Sequence, residues 1–163
     1  MAAATRASPS VLLLLLSFQL IITTSLCQFP PSDRDLAALI KVREQFGNPP
    51  QDVFAGWRPG TTCSTSWWPA SCNGQGRVTG LFLGNLLTIN ATLPPAISEL
   101  EMLDTLSISN MPGLHGPIPD SYGDLAHLSI LNIMVTNVSG SIPASLSRTN
   151  LTSATFFRNR LTG

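Results

Sequence analysis

The chain has few charged residues, few histidines and few cysteines, and each scarcity removes a class of function. Nine basic and nine acidic side chains among 163 residues give a formal net charge of +0. This balance argues against binding to nucleic acid or another polyanion through bulk charge. Two histidines and three cysteines are present, and none has further ligands at metal-like spacing. We therefore expect no metal and no cofactor.

The residue groupings that carry catalysis are also missing from the sequence. His115 and His127 lack a nucleophile and an acid in any recognisable pattern, and Cys72 has no histidine near it. We find no phosphate-binding loop and no carboxylate pair of the kind that glycosidases use. The sequence therefore predicts that the chain is not an enzyme and has no catalytic residues.

Only one long apolar run is present, and it lies at the N-terminus. Arg6 precedes the run 11–22, and polar or small residues follow it up to Ser25. This order is typical of a secretory signal peptide spanning residues 1–25. The alternative is a membrane anchor, but the run is shorter than the roughly 20 residues that cross a bilayer. We expect a secreted chain that contacts membranes only peripherally, if at all.

A pattern of leucines is repeated along the second half of the chain. The segment 103–119 carries Leu-x-x-Leu-x-Ile and ends in Gly-Pro-Ile-Pro, and the segment 128–143 repeats the frame and ends in Gly-Ser-Ile-Pro. Pro143 lies 24 residues after Pro119, which lies 25 after Pro94. A period of this length with this leucine spacing indicates leucine-rich repeats. Because side chains alternate along a strand, Leu and Ile of each frame should enter a shared core.

These repeats predict an α/β fold: a leucine-rich-repeat solenoid with a parallel sheet on its concave face. Residues 77–163 contain about 3.5 repeats, of which the fourth is incomplete. Residues 26–76 should form an N-terminal cap built on an amphipathic helix from Pro31 to Phe46. Its apolar stripe comprises Leu36, Leu39, Ile40 and Phe46. Three tryptophans that follow the helix are expected to fill the core of the cap: Trp57, Trp67 and Trp68.

The segments 36–49, 137–146 and 158–163 carry a resemblance to a known family. The first resembles a plant leucine-rich-repeat cap, and the others resemble the plant repeat Asn-x-Leu-x-Gly-x-Ile-Pro. Together they make the chain, from about Cys27 to Gly163, similar to the polygalacturonase-inhibiting proteins of plants. This resemblance implies a cell-wall protein of plant defence that binds microbial or insect polygalacturonase. Members carry about ten repeats and a second cap, so the resemblance implies a C-terminally truncated chain: a fragment, a shortened product, or a chain whose end is covered by something else.

The cysteines depart from the family pattern. Ser64 stands where the family's third cap cysteine would be. The resemblance then implies a disulfide between Cys27 and Cys63 and an unpaired thiol at Cys72. A dimer could form through Cys72 or through the open C-terminal edge, where Phe156 and Leu161 would be exposed.

Residues that point out of the predicted sheet are the candidate protein-binding site, because solenoids bind proteins on this face. They are Phe82, Thr105, Ser107, Ser109, Asn132, Met134, Val135, Thr155, Phe157 and Arg158. Sequons predict glycosylation at Asn90, Asn137 and Asn150. Two other functions stay open: a short receptor-type adaptor that binds a peptide or a receptor ectodomain, and a non-functional remnant.

Overall fold

The structure, a computed structural model, describes residues 31–49, 52–63 and 67–162. The predicted signal peptide lies outside these residues. The secondary structure consists of α1 (Pro31–Gln45), β1 (Ala70–Cys72), β2 (Val78–Gly84), β3 (Ala91–Thr92), β4 (Thr105–Gly116), β5 (Ile130–Ser141), β6 (Ser153–Thr155) and β7 (Arg160–Thr162). Short 3₁₀ helices span Asp52–Phe54, Pro95–Glu99, Asp120–Asp124 and Ala144–Arg148.

The sheet has the strand order β1-β2-β4-β5-β6, and all of these strands except β1 run parallel. Equivalent leucines lie side by side, with Leu81 beside Leu106 and Leu106 beside Leu131. All three are fully buried. Each repeat therefore adds one strand and one layer of core, which confirms the predicted leucine-rich-repeat solenoid.

Beyond the concave sheet, short strands of neighbouring repeats also pair in parallel. β3 and β7 pair with the C-terminal halves of β4 and β5, respectively. Gly116 and Gly140 lie at the C-terminal ends of β4 and β5 with φ of +77° and +83°, a left-handed conformation that suits glycine. Pro119 and Pro143 then begin the next 3₁₀ helices with φ of −61°. The recurring Ile-Pro pair therefore ends the extended segment and starts the turn, because proline holds φ near this value.

Asn159 occupies the position at which plant repeats bond their backbone between turns. Its amide donates to the carbonyl of Ile133 at 2.7 Å, and its oxygen accepts the hydroxyl of Thr136 at 2.7 Å. Met111 belongs to the repeat before that of Thr136, lies beside Thr136 and is fully buried. Leu86 is also buried after the first strand. The first two repeats therefore have an apolar contact where the fourth has an amide.

The helix α1 covers the first repeat with an apolar face. Leu36, Leu39, Val42 and Phe46 are buried, whereas Ile40 is only half-buried. Ile40 still packs against the core, as the predicted stripe requires, but the stripe omitted Val42. Residues 36, 39 and 42 follow each other at the i, i+3 spacing of one helix face, which explains why Val42 is buried with them.

A buried carboxylate joins this helix to the first repeat. Asp35 has no exposed surface and accepts bonds from Arg77 Nε at 2.9 Å, Arg77 Nη2 at 3.1 Å and the backbone N–H of Val78 at 2.7 Å. Arg77 Nη2 also reaches Glu101 at 3.3 Å. Hydrogen bonding to Asp35 raises the pKa of Arg77 above its ordinary value. The cap and the first strand are thus held in one register by a charged pair.

Two of the three tryptophans fill the cap, and the third does not. Trp57 donates its indole N–H to the carbonyl of Trp67 at 2.8 Å, and Trp67 donates its own to Thr61 Oγ1 at 2.9 Å. Both rings are fully buried. Trp68 is 64% exposed, so the prediction that it fills the core was wrong. Trp67 already occupies the space beside Trp57, and its neighbour in the chain therefore faces solvent.

The disulfide of the cap differs from the one that the resemblance implied. Cys63 is bonded to Cys72, across nine residues and a Cα–Cα distance of 6.2 Å. The predicted Cys27–Cys63 bridge was therefore wrong, as was the free thiol at Cys72 with the dimer built on it. This Cα–Cα distance lies within the range that a disulfide spans. Cys27 lies outside the described residues.

Candidate protein-binding face

The residues predicted to point outward form rows across the concave sheet. The strand register places Phe82, Ser107, Asn132 and Thr155 in one row, with each residue beside the next. The neighbouring row contains Gly84, Ser109 and Met134. Adjacent strands lie about 4.8 Å apart, so residues in a row can contact one ligand.

The middle of this face is flat, small and uncharged. Ser107, Ser109 and Asn132 are half-buried by their neighbours. A Cβ added to Gly84 would lie 3.1 Å from the hydroxyl of Ser109, so the two residues already touch. Such a surface offers hydroxyl and amide groups and little apolar area. We expect it to contribute complementarity to a partner, and little of the affinity.

Phe82 lies near the cap end of the face. It is 38% exposed, and its ring lies over Gly80, where an added Cβ would come within 2.7 Å of the ring. Its backbone N–H donates to the carbonyl of Pro69 at 3.0 Å. The exposed Trp68 immediately precedes that proline in the chain. Sequence reasoning missed this tryptophan as a surface residue, because its pairing with Trp67 resembles core sequence.

A row of left-handed residues borders the concave face, after β2 and β6 and within β4 and β5. Asn85, Asn110, Val135 and Arg158 have φ of +58°, +51°, +54° and +54°. Asparagine adopts this conformation readily, and the amide of Asn110 donates to Asn85 Oδ1 at 2.7 Å. A β-branched residue adopts it rarely, and such strain is of the order of 1–3 kcal/mol. The asparagine ladder therefore ends at a strained valine.

The C-terminal end of the face is apolar with one positive charge. Val135 and Phe157 are 36% and 55% exposed, and Met134 is half-buried in the adjacent row. The guanidinium of Arg158 lies 5.1 Å from the centre of the Phe157 ring, a cation–π arrangement. The backbone N–H of Val135 donates to the carbonyl of Phe157 at 2.8 Å. We call Met134, Val135, Phe157 and Arg158 the Arg158 patch.

All ten predicted contact residues lie on this face or in the bordering row, and none belongs to the buried core. Thr105 and Thr155 are half-buried at positions flanking the serines. The prediction missed two members of the bordering row, because Asn85 and Asn110 were not among the candidates. Their recurrence 25 residues apart, each two positions after a buried Leu or Ile, is the signal that could have found them.

The three sequon asparagines differ in their surroundings. Asn137 donates its amide to the carbonyl of Pro112 at 2.6 Å, and Asn150 donates to that of Ala126 at 2.8 Å. Asn90 is exposed beside β3. The amides of Asn137 and Asn150 therefore bridge adjacent repeats.

No group of three histidine, cysteine or acidic side chains in the described ranges could hold a metal ion. An apolar groove of about 530 Å³ lies on the cap beside α1, between Leu36 and Ile40 on one wall and Pro59 and Thr61 on the other. Burial raises the pKa of Tyr122, whose hydroxyl donates to the carbonyl of Pro94. This tyrosine lies in the core, away from the concave face.

Comparison with known proteins agrees with this architecture. The chain is 34% identical to the polygalacturonase inhibitor 1 of Oryza sativa subsp. japonica over 109 residues, covering 67% of this chain and 32% of the relative. The crystal structure of PEPR1-AtPEP1 is similar to this chain with a TM-score of 0.70 at 25% identity, over 79% of this chain and 18% of that one. The chain has the leucine-rich-repeat fold, and it is similar to plant proteins.

The chain is also similar to a receptor-like protein. This leucine-rich-repeat chain is 34% identical to the receptor-like protein 50 of Arabidopsis thaliana, over 78% of its own length and 15% of the relative. It thus spans about a third or less of the proteins named here. No protein-family model matches the chain. Within the described ranges, no helix has the length and apolar character needed to cross a membrane.

Proposed function

We propose that this leucine-rich-repeat protein is a secreted, non-enzymatic protein that binds and inhibits a microbial or insect polygalacturonase at the plant cell wall. The similarity to the rice polygalacturonase inhibitor is the observation that carries the proposal. In this proposal residues 1–25 are the signal peptide, 26–76 the cap and 77–163 the repeats. Asn90, Asn137 and Asn150 carry the glycans of the secreted form.

The composition of the concave face supports binding to a protein. Exposed aromatic and arginine side chains are enriched among the residues that dominate protein interfaces, and Phe157 and Arg158 are of these types. The small polar residues beside them can lie against a partner without steric conflict. Phe82 supplies a second apolar contact at the other end of the face.

The width of the face predicts the strength of inhibition. Four parallel strands, β2, β4, β5 and β6, span about 15 Å from first to last. A standard protein interface buries roughly 800 Å² on each partner, which needs a wider surface. We therefore expect weak inhibition by this chain alone.

An inhibition assay tests the proposal. Release of reducing sugars from polygalacturonate by a fungal endo-polygalacturonase is measured with the chain, and with the chain extended by the remaining repeats of the rice relative. We expect weak inhibition by the first and tight inhibition by the second, reduced in both by Phe157→Ala and Arg158→Ala. Lack of inhibition by the extended protein would exclude polygalacturonase as the target. Tight inhibition by the short chain that neither substitution reduces would show that the site lies elsewhere.

The second candidate is a receptor-type adaptor that binds a peptide or a receptor ectodomain. It is favoured by the similarity to the receptor-like protein 50. The same concave face would serve it. Parallel pull-downs with secreted pectinases and with plant receptor ectodomains distinguish the two candidates, because each predicts enrichment of one set only.

A further inference from the structure

The change of residue type along the left-handed row is not explained by the stability of the fold. Asn85 and Asn110 suit their conformation and bond to each other at 2.7 Å. An asparagine at position 135 would suit the same φ of +54° and lies next in line to extend the ladder. Valine instead introduces strain and exposes an apolar side chain to solvent. Strained residues of this kind concentrate at functional sites.

The charge of the face is concentrated at the same place. Among the concave strands and the row that borders them, residues 78–85, 105–110, 130–135 and 153–158, Arg158 is the one charged side chain. Within the part of the chain that the structure describes, no carboxylate forms an ion pair with it. Its described side-chain contact is the ring of Phe157. The guanidinium donors therefore face solvent beside two exposed apolar side chains.

We propose that the Arg158 patch selects the partner, and that it takes a protein segment presenting a carboxylate next to an aromatic or aliphatic side chain. The carboxylate would pair with Arg158, whose planar group can donate two parallel bonds to it. The neighbouring apolar side chain would cover Val135 and Phe157. This inference rests on the proposed function only in taking the chain to be a protein binder, and it does not depend on polygalacturonase as the target.

Panning of a random short-peptide phage library on the whole chain tests this specificity. We expect the enriched peptides to carry Asp or Glu beside an aromatic or aliphatic residue. Peptides synthesised from the enriched sequences should bind about tenfold more weakly to the Arg158→Gln variant, since one charge-assisted contact is worth about that factor. The matched control is Arg160→Gln, because Arg160 is also exposed but lies on β7, off the concave face. This control should bind as the unmodified chain does.

The Val135→Asn variant separates partner selection from a structural role. Relief of strain and extension of the ladder should raise the melting temperature by about 3 °C, while peptide binding falls. A residue with a purely structural role would not move the two measurements in opposite directions. Because this variant is expected to be more stable, weaker binding cannot be attributed to misfolding.

Several results would overturn the inference. Enriched peptides without acidic residues, no enrichment at all, or equal binding by the Arg158→Gln and Arg160→Gln variants would each show that the patch does not select the partner. A lower melting temperature for Val135→Asn would remove the argument from strain. Peptide selection as expected, together with no effect on polygalacturonase, would reject the proposed target and retain this inference.

Discussion

Replacing Asp35 by alanine removes the buried carboxylate that joins the cap to the first repeat. Three hydrogen bonds are lost, two from Arg77 and one from the backbone of Val78. Among the described residues, the guanidinium then keeps the bond to Glu101, whose side chain is 63% exposed. The N–H of Val78 is left without its acceptor in the core.

The expected loss follows from the burial of both partners. Removing one member of a buried ion pair costs about 3–5 kcal/mol. Asp35 is fully buried and the side chain of Arg77 is 13% exposed, so solvent screens the remaining charge only slightly. We expect the free energy of unfolding to fall by about 4 kcal/mol, a large share of the roughly 5–15 kcal/mol of a typical domain.

Urea unfolding followed by tryptophan fluorescence measures this loss, because Trp57 and Trp67 are buried in the cap. The matched control is Lys41→Ala, which breaks the other ion pair between α1 and the residues that follow it. The side chains of Lys41 and Glu99 are 52% and 46% exposed, so its removal should cost less than about 1 kcal/mol. A loss below about 1 kcal/mol for Asp35→Ala would refute the view that the buried pair anchors the cap.

Three further variants test other contacts. Replacing Cys63 and Cys72 by alanine should lower the free energy of unfolding by about 2.5 kcal/mol, by the chain-entropy model for a nine-residue separation. Peptide mapping without reductant checks the bridge itself, and a fragment that joins Cys27 to Cys63 would contradict it. Burial raises the pKa of Tyr122, so stability is fully present below about pH 10, the ordinary value, and should fall above it by up to about 1.4 kcal/mol per pH unit. Unfolding measured across that range should show a shallower decline for Tyr122→Phe, and identical slopes would refute the assignment. Gly113→Ala should cost about 1–3 kcal/mol, because its new Cβ would overlap the carbonyl of Ile89, whereas Gly74→Ala meets open space and serves as the control in the same unfolding assay.

The sequence by itself determined the repeat architecture and the orientation of its strand residues. Leu106 and Ile108 are buried and Ser107 and Ser109 are not, as alternation along a strand requires. The Leu-x-x-Leu-x-Ile frame and the Ile-Pro turn recur with a fixed period, so each repeat carries its own local instructions. Patterns of this kind can be read without coordinates because they depend on neighbours within a few positions.

The tertiary structure alone decided the features that depend on residues distant in sequence. Asp35 meets Arg77 across 42 positions of sequence, and this pairing follows from how the helix is seated on the first strand. Val135 adopts a left-handed conformation although its own preference opposes it, because the repeats on both sides impose the turn. Long-range packing outweighs local preference at each of these points.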